Sequence, residues 1–200
     1  MIDISIFKEG DGILVHKLKV ESISDIPAPV IRILTGCYYN HNAIITKCFG
    51  RLFITEAVAN GLVSTKSLES YLKEVGSIRE IMVIRVEGAD IDQANNNLVS
   101  IINRAYGFGT LIFTQLIYQL SKKIFGKKNG LWLGKSGNDA KRTIVCSEAY
   151  ANMYPGQFIG LDLERVTPKD IFETRFYGNV SVVYESNEEH RLKFESKYLK

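Results

Sequence analysis

Three side chains in this sequence have the types and spacing for nucleophilic catalysis: Cys146, His41 and Glu56. Cys146 stands in RTIVCSEAY, where an apolar run gives way to the first turn of a helix. A helix start presents unpaired N–H groups and a partial positive charge, which favour an anion. A thiol placed there ionises more readily, and the thiolate is the nucleophile. The competing reading is a small buried filler, a common use of free cysteine.

A cysteine nucleophile needs a base, and the base needs a third group to orient it. Of the three histidines, His190 lies in a charged tail, expected to fray from Ser186 onward. His16 sits among Leu14, Val15 and Leu18 in a strand and suits simple packing. His41 opens the strand segment HNAIITK after the turn GCYYN, and its alternative role is a hydrogen-bonded histidine at a sheet end. The following segment RLFITEAV reads as the second strand of a hairpin. A turn centred on Cys48-Phe49 sets His41 directly opposite Glu56. Moving the turn to Phe49-Gly50 makes the pair diagonal but leaves both side chains on one face. Either arrangement is within reach of an imidazole–carboxylate bond, and a single bulge would break it.

The elements that must position these groups read as an α+β fold with a mostly antiparallel sheet. Ile4 to Phe7 and Gly12 to Leu18 are expected strands around a Glu9-Gly10-Asp11-Gly12 turn. Ile23 to Leu34 reads as a helix interrupted near Pro27 and Pro29, Leu68 to Val75 as a short helix, and Glu80 to Val86 as a strand. Asp90 or Asp92 caps a helix running to about Ala105, followed by a buried helix over Phe108 to Leu120. Pro155 ends the Cys146 helix near Tyr154, Thr167-Pro168 starts another helical turn, and Ser181 to Glu185 is a last strand.

Composition bounds the rest. A chain of 200 residues that is 46% hydrophobic suits one domain over 1–200, and a net charge of +3 lacks the basic excess of a nucleic-acid binder. Three cysteines without CxxC spacing argue for reduced thiols and against a zinc site; no metal or cofactor is expected. The N-terminus has no export signal, and the longest apolar segment is too short to span a membrane, so the expected address is cytoplasmic. Between Lys122 and Arg142 seven basic residues face one acid, in a loop that holds Trp132, the sole tryptophan. Such a run is usually a solvated surface; the alternative is a lid over the site or a patch for anionic lipid or acidic peptide.

The blocks EGDGILVHK, TGCYYNHNAII with FITEA, IVCSEAYANMY and the closing TPKDI together resemble the circularly permuted papain-like cysteine hydrolases. These are relatives of the NlpC-type cell-wall amidases, and the resemblance is to their YiiX/YebB-like branch. The order His, Glu, then Cys is the one that permutation produces. The resemblance implies a permuted papain-like fold with Cys146 as nucleophile, His41 as base and Glu56 as its orienter. It also implies a small peptide or acyl-amide substrate. The same permuted group includes lipid acyltransferases, so fatty-acyl amide or ester substrates and a catalytically silent binding domain stay open. Tyr39 is a candidate oxyanion donor, with packing on the core as its alternative. Ser147 and Glu148 are read as first-turn helix residues, and Cys37 and Cys48 as structural. Two positions depart from the family pattern: Asn42, where an apolar residue is usual, and Ala149, where leucine is usual.

Overall fold

The computed structural model of this chain describes residues 2–19, 32, 35–58, 62–102, 105–106, 143–144, 146–158, 166–176 and 179–198. Strands β1 (Gly12–Lys17), β2 (His41–Cys48), β3 (Arg51–Val58), β4 (Leu62–Ser67), β5 (Arg79–Val86) and β8 (Val180–Glu185) form one sheet in the order β4-β3-β2-β1-β5-β8. Every neighbouring pair in it is antiparallel, which makes the fold α+β as expected. The short strands β6 (Ala105–Tyr106) and β7 (Thr143–Ile144) pair separately and in parallel.

Alternation along the strands gives the sheet two apolar faces. On one, Ile13, Val15, Ala43, Ile45 and Ile81 pack under helix α1 (Leu68–Leu72). On the other, Leu14, Ile44, Met82 and Ile84 meet helices α2 (Ile91–Ile102), α3 (Cys146–Met153) and α4 (Pro168–Glu173), and Phe194 of α5 (Glu188–Tyr198).

The β2–β3 turn falls on Phe49 and Gly50, whose φ angles of 49° and 77° are both left-handed. That is the two-residue geometry that matches strand twist, and Cys48 therefore pairs with Arg51. The register is thus the diagonal one for His41 and Glu56, one residue on from a turn centred on Cys48-Phe49. The physical cause is Gly50, which accepts the second left-handed position without strain.

Five other expectations change. Helix α2 is described to Ile102, and Ala105, its expected end, opens strand β6 instead. Ile4–Ile6 is a 3-10 turn and no strand, because the Asp3 carboxylate accepts the Ser5 N–H and closes a local cap. Leu62–Ser67 is a strand that its mixed polar sequence did not announce. Helix α1 stops at Leu72, short of Val75, with Ser67 capping its start. The tail is helix α5, held by buried Phe194 and by Arg191, which pairs with Glu185 at 2.7 Å. The helices expected at Ile23 to Leu34 and Phe108 to Leu120 lie outside the described residues, apart from isolated positions. Among the described residues no helix is long and apolar enough to cross a membrane.

Candidate active site

Cys146 is the first residue of α3 and is buried. Three contacts set where that helix begins. Tyr150 lies on Gly12, where an added Cβ would come within 2.4 Å of its ring. The Tyr154 hydroxyl donates to the Gly10 carbonyl at 2.8 Å. The Ser147 hydroxyl donates to the Val166 carbonyl at 2.7 Å, just before the Thr167–Asp170 capping box that starts α4. The EGDG and TPKDI segments therefore act as seats for the helix that bears the thiol.

His41 and Glu56 share the α1 side of the sheet. The pairing of β2 with β3 ends at Ile44 and Thr55, so both lie just beyond the paired stretch, diagonal to one another. His41 Nε2–H donates to Glu56 Oε2 at 2.9 Å, with side chains 12% and 8% exposed. The same imidazole is hydrogen-bonded to the Cys146 thiol.

Early termination of the β2–β3 ladder has a second effect. Across β1, Asn42 stands opposite Leu14, but toward β3 its backbone has no ladder partner, and its N–H meets the Cys146 sulfur. The Ser147 backbone N–H meets it too, as expected at a helix start.

The electrostatics follow from these contacts. Burial alone would lower the His41 pKa, but the Cys146 thiolate and then Glu56 outweigh it and raise the imidazole to about 9. Burial would raise the Cys146 thiol, yet the His41 charge and the two backbone donors hold it below its ordinary value. Glu56, also opposed by burial, is held low by His41 and then by Arg79. Arg79 is buried beside it, with its guanidinium 4.1 Å from the Tyr71 ring and paired to Glu74. Sequence reasoning missed both Arg79 and the Asn42 N–H. Arg79 opens β5 one residue before the segment read as a strand, and no local pattern marks where a ladder stops.

The other residues singled out fall elsewhere. Tyr39 is in the core, and its hydroxyl donates to Glu185 at 2.7 Å, so the packing alternative describes it. Trp132 and the lysine-rich loop lie outside the described residues. Ser147 and Glu148 are first-turn residues of α3, but both are buried. Burial pushes the Cys37 thiol up to about 12, so it stays protonated, and Cys48 is exposed. His16 does more than pack: it is buried 3.6 Å from Glu80 and contacts Arg32.

No family model and no curated protein matches the chain. Solved structures similar to it include yiiX from Escherichia coli O157:H7, described as a metalloprotein, with 16% identity over 89% of this chain and 97% of that one. The TM-score of 0.54 makes the likeness one of fold, a YiiX-like arrangement of the sheet and its helices.

Proposed function

We propose that this chain is a cysteine hydrolase of permuted papain-like type that cleaves an amide or peptide bond through a thioester. The observation that carries the reading is His41, hydrogen-bonded on one side to the Cys146 thiol and on the other to Glu56. Neutral packing roles for the three residues would not require this linear order of nucleophile, base and orienter.

The Cys146 thiolate attacks the substrate carbonyl carbon, forming a C–S bond and an oxyanion. Backbone N–H groups at the α3 start and at Asn42 are placed to hold negative charge there. Collapse breaks the C–N bond, and the imidazolium of His41 gives its proton to the departing amine. Water then adds to the thioester as His41 takes its proton, the C–S bond breaks, and a carboxylic acid leaves. Glu56 keeps the ring oriented and stabilises its charged form throughout. The metalloprotein description is that of yiiX; among the described residues of this chain no group of three His, Cys, Asp or Glu side chains could hold an ion. No step here is routed through one.

The test is iodoacetamide labelling of the native protein at mildly acidic pH, read by peptide mass spectrometry. Labelling concentrated on Cys146 is expected, since a lowered thiol pKa sets its rate. Equal labelling of Cys37, Cys48 and Cys146 would exclude the enzyme reading and leave a silent binding domain.

A further inference from the structure

Two carboxamides flank His41, in the run Asn40-His41-Asn42, and both are buried at 7% and 1% exposure. Neither the nitrogen nor the oxygen of the Asn42 side chain has a hydrogen-bond partner, and Oδ1 of Asn40 has none either. Strand alternation puts Asn42 on the side of Leu14 and Ile44, the face that the Cys146 helix covers. Its own backbone N–H meets the Cys146 sulfur. The residue whose backbone N–H touches the nucleophile, next in sequence to the base, thus carries an unmatched carboxamide.

Such a group weakens the fold. A buried polar atom without a partner forfeits its hydration, whereas an apolar side chain of the same shape would not. Leucine would fill the volume of Asn42 and suit its neighbours Leu14 and Ile44 better. What the fold leaves unmatched is the NH2 group of Asn42, with two N–H donors, and two carbonyl acceptors, a set that calls for a ligand bearing N–H groups and a carbonyl. A peptide or amide unit supplies both. A fatty-acyl chain supplies neither.

Building on the reading of Cys146 as nucleophile, we propose that Asn42, with Asn40 beside it, is the specificity-determining residue of the site and pairs with an amide unit of the substrate adjoining the bond under attack. Asn42 Nδ2–H donates to the substrate carbonyl, and Asn42 Oδ1 accepts the substrate N–H. Asn40 Oδ1 accepts a second N–H from the same chain. The residue that discriminates peptide from lipid therefore sits on β2 itself.

The experiment compares two probes on the full chain: N-acetyl-alanyl chloromethyl ketone, and the hydrocarbon analogue in which two methylenes replace the amide. Both alkylate Cys146, and each rate is divided by the rate with free N-acetylcysteine to remove intrinsic reactivity. The wild type should prefer the amide probe by about tenfold for each hydrogen bond formed, and Asn42→Leu should bring the ratio close to one. The leucine protein should melt no lower than the wild type, because it loses no hydrogen bond; a purely structural asparagine would give the opposite. Asn42→Ala repeats the ratio if leucine does not fit. A reactive Cys146 without amide preference, or a preference that survives in Asn42→Leu, overturns the role of Asn42 alone. A wild-type Cys146 no more reactive to iodoacetamide than Cys37 or Cys48 removes the nucleophile reading, and this proposal with it.

Discussion

His41 stands between two groups that both favour its protonated form, and that fixes how the site responds to pH. The Cys146 thiol is held below its ordinary value and His41 is raised to about 9, so between those limits the pair exists as thiolate and imidazolium. The rate of alkylation of Cys146 should therefore rise with pH below the usual thiol range. In His41→Ala the largest remaining influence is burial, which pushes the thiol up, and the profile should move to higher pH. Hydrolysis should behave differently from alkylation on the alkaline side. Above about pH 9 His41 loses the proton that the leaving amine needs, so turnover should fall while alkylation does not. Cys146→Ala should abolish turnover, and His41→Ala should reduce it by about 10²–10⁴-fold. Glu56→Gln should leave more activity than either, since the proposed mechanism gives Glu56 only the task of orienting the ring. A Glu56→Gln protein with full activity would remove Glu56 from the machinery.

Between the residues and the molecule lies the seating of α3, which decides whether the thiol reaches the imidazole. Tyr150 is fully buried between Tyr154 and Phe158, so its ring has no room to retreat from Gly12. Adding a methyl there in Gly12→Ala places it 2.4 Å from the ring and should destabilise the protein by about 1–3 kcal/mol, as overpacking does. Because Tyr150 and Cys146 share the helix, the same substitution should slow alkylation of Cys146. Denaturant unfolding and labelling measured on one preparation check both effects. A stable Gly12→Ala protein with unchanged labelling would mean that α3 does not depend on this contact. The glycine could be read as part of a turn signal in the sequence, but its role against an aromatic ring on another element could not. The expected helix from Cys146 to about Tyr154 did form, since its start and its Pro155 stop are local signals.

Across the whole molecule, the sheet carries a second polar cluster on the face away from His41, where His16, Tyr38, Asn187 and His190 contact the buried Glu80 and Arg32 contacts His16. Burial first, and then the Arg32 charge, lower His16 to about 4 despite the opposing pull of Glu80. The folded protein thus keeps His16 neutral where the unfolded chain binds a proton. Stability from this source is complete above the ordinary histidine value of 6.5 and is lost as pH falls toward 4. The melting temperature should drop over that window, and His16→Gln should flatten the drop relative to the wild type; an equal drop in both would assign acid sensitivity to other groups. The sequence by itself determined that His41 and Glu56 share a face, because side-chain parity in a hairpin survives a one-residue shift of the turn within the same class. It also determined a thiol at a helix start, through local start and stop signals. Only the tertiary structure decided that this thiol meets His41, that the Asn42 N–H is released by a ladder ending at Ile44, and that the Tyr39 hydroxyl is taken by Glu185. The same holds for α5, whose anchors Phe194 and Arg191 work through residues far away in the chain. Parity and capping are properties of neighbours along the chain, whereas these contacts depend on how whole elements pack, which no local spacing records.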